Sequence, residues 1–462
     1  MQLRKPMLIP AYPGYVVGLI LLLIINSLGL QAQSSPNVHQ LFAFNCVTKG
    51  PTIVSCPSGG EPSRLIQSAD GNFYGTTSIG GTGNLAAGTV FKLTPSGQLT
   101  TLHTFIADQS GNYPNGANPG GVVEGNDGFL YGATVTGGAN NTGVVFQLSK
   151  AGAFHVVRAR GGVSYLTFAG DGNLYGYGSD ASGNISLVRI TPSGSYSVLH
   201  TLTLSTTGIY AAGLILGSDG NLYGTTIDAE IKKITSLFRL TTAGQFTVLQ
   251  TVHYGQFLVS APIQSANGNL YAGLDFVVQP NGSLLPGLLE HNLYGAGFQL
   301  ITLPYGVEQW VGEFLEASDG NFWGLRGAGS LGGQGAIVSF THSGAQLQQI
   351  NLGGYGLMQA SDGRIVGLNG NEIFALEPAL PAPRPLFVSP SPASGKVGAQ
   401  VMIHGSHFVG TTAVTFNGVS ASFRVLNTGN IVATVPAGAT TGPVEVTNAG
   451  GVSLGGKSFT VD

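Results

Sequence analysis

The stretch that decides the fold is Ser68-Ala-Asp70-Gly-Asn-Phe-Tyr74-Gly75, a tight turn opening into a strand that carries an aromatic residue. It recurs as Gly-Asn-Asp127-Gly-Phe-Leu-Tyr131-Gly132, Ala-Gly-Asp171-Gly-Asn-Leu-Tyr175-Gly176 and Gly-Ser-Asp219-Gly-Asn-Leu-Tyr223-Gly224. Looser copies follow at Asn267, Asp319 and Asp362, where Tyr271, Trp323 and Val366 stand at the aromatic position. The seven copies are separated by 57, 44, 48, 48, 52 and 43 residues, which is the signature of a tandem-repeat architecture.

Each unit reads as four short strands. In the first, Arg64–Ser68 is a strand and Asp70-Gly71 a two-residue hairpin turn. Asn72–Thr77 is the second strand, and a glycine-rich loop leads to the third, Gly88–Leu93. Thr94-Pro-Ser-Gly97 turns the chain into the fourth, Gln98–Phe105. Four antiparallel strands in about 45 residues, seven times over, predict an all-β fold whose main body is a seven-bladed β-propeller. The ends agree with that count. The last repeat stops at Pro378 one strand short, while Val38–Phe44, ahead of the first, resembles a fourth strand. Donating it to the last blade would close the ring and remove exposed sheet edges. The fifth repeat is irregular: Val277–Gly282 reads as its third strand and turn, Ser283–Gly295 as an insertion, and its fourth strand has no clear place.

Composition supports a β-rich chain. There are 73 glycines among 462 residues, only 8% are charged, and the net charge of -3 shows no basic stripe for nucleic acid. Arg4 and Lys5, the apolar run Tyr15–Leu28 and a small residue at Ala32 have the order of a secretory signal. That run is short of the roughly 20 residues a spanning helix needs. The expectation is cleavage after residue 32, export to the periplasm, cell surface or medium, and no membrane span afterwards. Cys46 and Cys56 are the only cysteines, and in an exported chain they read as one local disulfide worth about 3 kcal/mol.

The expected organisation is a signal peptide over 1–32, the propeller over 33–377, a stiff proline-rich linker over 378–385 and a small β-sandwich over 386–462. The sandwich segment resembles the IPT/TIG domain, an immunoglobulin-like module, through Ser391–Gly395, Val401–Phe408, Val414–Gly418 and Val435–Pro443. The repeats resemble GloVer-type tandem repeats of exported bacterial proteins, through Asn221-Leu-Tyr-Gly-Thr-Thr226 and Gly88-Thr-Val-Phe-Lys-Leu93. The resemblance implies an exported propeller with no assigned activity and an IPT/TIG module that acts as spacer or interaction domain. It supplies no catalytic residues.

Two sets of side chains are candidates for function. The loops that vary among repeats lie at the end of the propeller away from the Asp-Gly turns, at the channel mouth, and variable loops on a rigid scaffold are where binding concentrates. They carry Asp108, Tyr113, Arg158, Arg160, Asp180, Tyr210, Asp228, Glu230, His253, Tyr254, Glu308, Trp310, Arg326 and Tyr355. An aromatic-and-carboxylate mouth suits a sugar or peptide; the plainer reading is solvated loop. The second set stands three positions before each turn, on the innermost strand: Gln67, Glu124, Phe168, Leu216, Gln264, Glu316 and Gln359. Five of the seven are polar. They read either as a cation or polar-ligand site with Glu124 and Glu316 as acceptors, or as hydrogen-bonded packing around channel water. The turn aspartates are too dispersed to form one calcium site, and no metal, cofactor or catalytic residue is expected. The functional expectation is a monomeric, non-catalytic binding, adhesion or structural protein of the cell envelope or exterior, with a polysaccharide or protein ligand. The alternative is a propeller enzyme, a metal-assisted lyase or a glycan-active enzyme, with its site at the channel mouth.

Overall fold

The computed structural model describes residues 36–462 apart from 50–51, 84, 161, 180–183, 203–209, 228–234, 253–257, 259, 294, 296, 305–310, 327–334 and 378. The signal sequence read at 1–32 lies outside the described residues. Each Asp-Gly turn anchors a four-stranded antiparallel sheet, named here by its turn residue. In the Asp70 sheet, Phe73–Ile79 pairs with Thr89–Leu93, and that strand pairs with Leu99–Thr104. The inner edge is shared by two short pieces, Gly60–Pro62 and Ile66–Gln67. The Asp127, Asp171, Asp219, Asn267 and Asp319 sheets repeat this order from inner to outer strand. In the Asp362 sheet the outer strand is Asn37–Ala43, paired antiparallel with Glu372–Glu377. The two ends of the β-propeller are thus joined by backbone hydrogen bonds, as the leftover strand predicts.

The repeated motif has a physical account at each position. The N–H of Gly71 donates to Ser68 O at 2.8 Å, and the N–H of Ser68 donates to Asn72 O at 2.9 Å. Gly71 has φ of 80° while Asp70 keeps a negative φ. This is a three-residue loop, a type I turn followed by a left-handed glycine, and it corrects the two-residue turn read from the sequence. The Asp70 side chain prefers this form because its Oδ1 accepts the N–H of Asn72 at 3.1 Å. Its Oδ2 accepts the hydroxyl of Tyr74 at 2.7 Å, so the turn and the following strand are locked together.

Tyr74, Tyr131, Tyr175, Tyr223 and Tyr271 are fully buried, and such rings bury on the order of 150–250 Å² each. Gly75 follows because a Cβ there would lie 2.7 Å from Cζ of Phe91 on the neighbouring strand. The two threonines then divide their work. Thr76 Oγ1 donates to Pro119 O of the next sheet at 3.2 Å, and Thr77 Oγ1 shares a 2.9 Å hydrogen bond with Thr89 Oγ1 within its own sheet. Leu-Tyr-Gly-Thr-Thr and Gly-Thr-Val-Phe are therefore one packing unit written on two strands.

The irregular repeat resolves differently from its sequence reading. Leu270–Val278 is one long second strand, Leu284–His291 the third and Phe298–Thr302 the fourth. Gln279–Gly282 turns between the second and third strands, not the third and fourth. A Pro-x-Gly turn has the same chemistry wherever it falls, so the sequence could not show that here it replaces the glycine-rich loop. Cys46 and Cys56 form the expected disulfide. It brackets the hairpin of Val47–Lys49 and Thr52–Ser55, which links the closing strand to the Asp70 sheet.

Beyond the propeller lies a sandwich of two sheets. One sheet runs Leu386–Ser391, Gln400–Ser406, Asn430–Thr434 and Phe423–Asn427. The other is built around Ala413–Phe416, Gly442–Asn448 and Ser458–Val461. Val388, Ile403, Phe408, Phe416, Ile431, Val446 and Phe459 fill the space between them. The preceding linker is not a free spacer. The N–H of Leu380 donates to Gly363 O at 3.1 Å, Gln359 Nε2 donates to Pro381 O at 3.3 Å, and Ser318 Oγ also donates to Pro381 O. Proline carbonyls are acceptors with no competing N–H, so this segment fastens to the propeller turns.

Candidate functional site

The turns between first and second strands share one end of the propeller with those between third and fourth. Arg364 Nη2, beside the Asp362 turn, donates to Pro95 O of the neighbouring sheet at 2.9 Å. The sandwich packs on this end. Asn427 Nδ2 donates to Glu124 O at 3.4 Å and to Asn126 Oδ1 at 2.9 Å. His404 lies against Gly170, where a Cβ would come within 2.5 Å of the imidazole. Between the two domains is a cavity of ≈ 820 Å³. Its floor is made by Gln67, Glu124, Phe168, Leu216 and Gln264 with the Asp171 and Asp219 turns. Its roof is made by Phe387, Ser389, Pro390, His404, Asn430 and Lys457.

Of the seven residues three positions before the turns, Gln67, Glu124, Phe168, Leu216 and Gln264 line this cavity, and hydrogen bonds show what the five polar ones of the seven do. Each reaches into the preceding sheet and accepts the N–H of the residue just before its turn Asp or Asn. Gln67 accepts from Ser361 N at 2.7 Å, Glu124 from Ala69 N at 3.1 Å and Gln264 from Ser218 N at 2.8 Å. Glu316 accepts from Ala266 N at 2.6 Å, and Gln359 from Ser318 N at 2.9 Å. The three glutamines also donate Nε2 to the glycine carbonyl of their own turn, Gly71, Gly268 and Gly363. These are clasps between neighbouring sheets.

Both carboxylates are further engaged. Glu124 Oε1 accepts from Ser68 Oγ at 2.7 Å and pairs with Lys150 Nζ at 2.5 Å. Glu316 Oε1 lies 3.0 Å from His342 Nε2. Phe168 and Leu216 take the clasp position at the other two joints. Phe168 instead packs beside Tyr131, with ring centroids 5.8 Å apart.

Electrostatics at the turns follow the same geometry. Burial works to raise the Asp70 carboxyl, but hydrogen bonds from Tyr74 and Asn72, with Lys150 nearby, outweigh it and hold the group below the usual carboxylate range. The buried hydroxyls of Tyr74, Tyr131, Tyr175 and Tyr223 are pushed up by burial and by the aspartate each one donates to. These groups hold fixed protonation states at neutral pH and behave as structure.

The loop candidates at the other end are dispersed where they are described. Asp108 Oδ1 accepts from Ser110 N at 2.8 Å and Asn112 N at 2.9 Å, closing its own turn. Tyr113 donates to Leu85 O and Tyr355 to Pro62 O, each at 2.8 Å. Arg158 stands on an outer strand with its guanidinium 4.3 Å from the centre of the Tyr196 ring. Arg160 is exposed, and Arg326 Nη1 donates to Gln349 Oε1 at 3.0 Å. Asp180, Asp228, Glu230, His253, Tyr254, Glu308 and Trp310 lie outside the described residues, as does the side chain of Tyr210. Among the described residues no group of three or more His, Cys, Asp or Glu side chains is arranged to hold a metal ion.

Sequence reasoning missed the roof of the cavity. Phe387, His404, Asn427 and Lys457 are distant from the repeats in sequence, and only domain docking brings them over the turns. It also missed Arg64, between the two inner pieces of the Asp70 sheet, and Glu313, on the inner strand of the Asp319 sheet. Arg64 Nη2 pairs with Glu313 Oε1 at 2.5 Å, and Glu313 Oε2 accepts from Gly356 N of the intervening Asp362 sheet at 2.8 Å.

Comparison with known proteins agrees with this architecture. Residues 41–186 match the Gloeobacter/Verrucomicrobia repeat, and residues 385–461 match the IPT/TIG domain. The chain is thus a β-propeller that carries this repeat over residues 41–186, followed by an IPT/TIG domain. No curated protein matches this repeat protein. Among solved structures, a streptogramin B lyase is similar at 18% identity, covering 75% of this chain and 99% of its own, with a TM-score of 0.50. YCF48 from Cyanidioschyzon merolae is similar at 13% identity over 73% of this chain and 99% of its own, with a TM-score of 0.48. At these identities the likeness to the lyase speaks to the propeller fold alone. Among the described residues, no helix is long and apolar enough to cross a membrane.

Proposed function

We propose that this repeat protein is an exported, non-catalytic binding protein: a seven-bladed propeller that holds a ligand together with its IPT/TIG domain. The blade count is supported by the seven turn motifs and by the closing strand Asn37–Ala43 on the Asp362 sheet. The observation that carries the reading is the cavity of ≈ 820 Å³ walled by both domains. Its size is that of small-molecule sites, which span roughly 300–1,000 Å³. Its carboxylates at Glu124, Asp171 and Asp219 are each tied into clasps or turns, so the site offers shape and hydrogen bonding in place of an acid and a base. The IPT/TIG domain is the roof of that site and faces solvent with its outer surface, where a second contact to a polysaccharide or protein of the cell exterior has room.

The test is to screen the full mature chain against envelope polysaccharides and small soluble ligands by melting shift, alongside Phe387→Ala and Asn430→Ala. A ligand that raises the Tm of the parent and not of the two variants supports the reading. Turnover of any ligand by the parent, with no ligand protecting the cavity, would replace it with the enzyme alternative.

A further inference from the structure

The clasp rule exposes two exceptions on the floor of the cavity. At five joints a Gln or Glu accepts the N–H just before the turn. At the joint between the Asp127 and Asp171 sheets the donor is Asn126 N, and the acceptor position holds Phe168. At the next joint the donor is Gly170 N, and the acceptor position holds Leu216. Among the described residues no acceptor meets either N–H. The two joints are adjacent, and Gly170, Phe168 and Leu216 all line the cavity. A backbone N–H with no protein acceptor takes one from water or from a ligand, and Gly170 N stands at the cavity wall.

The IPT/TIG domain reaches both of these joints, through Asn427 on Asn126 and His404 on Gly170, and also lies over the clasped joint of Gln67 with Ser361 through His407 and Val409. The nearby aspartates do not compete for the donors. Asp171 accepts from Asn173 N at 3.1 Å and Tyr175 Oη at 2.7 Å, and Asp219 accepts from Asn221 N at 3.0 Å and Tyr223 Oη at 2.7 Å. Lys457 lines the roof, is exposed, and has no carboxylate within salt-bridge distance among the described residues. His404 uses Nδ1 against Asn430 Oδ1 at 2.7 Å, which leaves Nε2 for another partner.

We propose that the cavity binds a hydroxylated carboxylate, a uronic-acid sugar, one of whose oxygens takes the acceptor place that Leu216 leaves open at Gly170 N, with Phe168 beside it on the floor. The model for the contact is within the protein itself: Glu124 and Glu316 place a carboxylate oxygen on the equivalent N–H at 3.1 and 2.6 Å. Lys457 supplies positive charge on the roof, while of the lining carboxylates Glu124 is paired with Lys150 and Asp171 and Asp219 keep both oxygens on their own turns and tyrosines. Charge-assisted hydrogen bonds to a carboxylate are about twice as strong as neutral ones. Phe168, Leu216 and Phe387 line the cavity and supply apolar surface for the sugar ring. This inference rests on the binding reading above and adds the ligand class.

The experiment is calorimetric titration of the full mature chain with digalacturonate and with galactobiose, its neutral counterpart. Digalacturonate is expected to bind at least tenfold more tightly than galactobiose. Leu216→Gln restores the clasp found at five other joints, so it is expected to keep or raise the Tm while weakening digalacturonate at least tenfold. Lys457→Gln is expected to weaken digalacturonate and leave galactobiose unchanged. Equal binding of the two sugars, abolished by Phe387→Ala, would overturn the acid-sugar inference and leave the cavity as a binding site. Absence of sugar binding by the parent, or digalacturonate binding that Leu216→Gln leaves untouched, also overturns it.

Discussion

The joints of the propeller fall into two kinds, and their difference separates what the repeat builds from what it leaves open. Where Gln67, Glu124, Gln264, Glu316 and Gln359 stand, each sheet holds the turn of its neighbour by a side-chain acceptor on a backbone N–H. Where Phe168 and Leu216 stand, that hold is missing, and the IPT/TIG domain lies over the gap with Asn427 on Asn126. A tandem repeat with identical joints would be a closed structural object. Two departures on adjoining sheets turn one side of its axis into a floor that presents the N–H of Gly170. The second domain supplies the roof.

The largest expected effect breaks the whole ring in place of one joint. Deleting residues 33–45 removes the outer strand of the Asp362 sheet and uncovers Glu372–Glu377 as an edge, so the chain is expected to aggregate or to melt much lower. Unchanged melting would mean that the strand pairing does not close the propeller.

Next comes the loss of a clasp. Glu124→Leu leaves Ala69 N and Ser68 Oγ without their acceptor and Lys150 without its partner, an expected cost of about 2–3 kcal/mol by chemical denaturation. Phe168→Ala, at an unclasped joint, removes apolar packing only, and comparing the two variants separates clasping from packing. Calorimetry with Ca²⁺ sharpens the same comparison: Glu124 is occupied on both oxygens, so no binding sensitive to Glu124→Gln is expected.

A smaller effect depends on pH and concerns the outer strands. His103 stacks on Phe154 of the next sheet with centroids 3.9 Å apart, and burial lowers its pKa to about 4. The unfolded chain, with an ordinary histidine near 6.5, binds the proton more readily than the folded one. Stability is therefore full above pH 6.5 and falls as the pH drops toward 4. His103→Phe is expected to flatten that part of the Tm profile between pH 4 and 7. A profile identical to the parent would assign the acid sensitivity elsewhere.

Most of the fold was legible because its determinants are local. Asp70 with Gly71 makes the turn, Tyr74 reports to Asp70 four residues back, and Gly75 makes room for Phe91. The leftover strand was legible by arithmetic, since one end had what the other lacked. What failed was also local in origin: Pro280-Asn-Gly282 is a turn signal with no label for which strands it joins. The cavity was legible only in part. The ring positions could be named from their spacing, but their role depends on which N–H of the neighbouring sheet they meet. The roof depends on docking between domains, for which Phe387, His404 and Lys457 carry no periodic signal.

The pairing of Asn37–Ala43 with Glu372–Glu377 also sets an order of events. The first strand of the propeller to be made has its partner among the last propeller residues to be made, so the ring cannot shut until nearly the whole propeller exists. Contacts so distant along the chain form slowly. Until then Glu372–Glu377 and the waiting strand are open edges of the kind that recruit other chains. The strand Asn37–Ala43 is the latch that records when the propeller, though not yet the IPT/TIG domain, has been made.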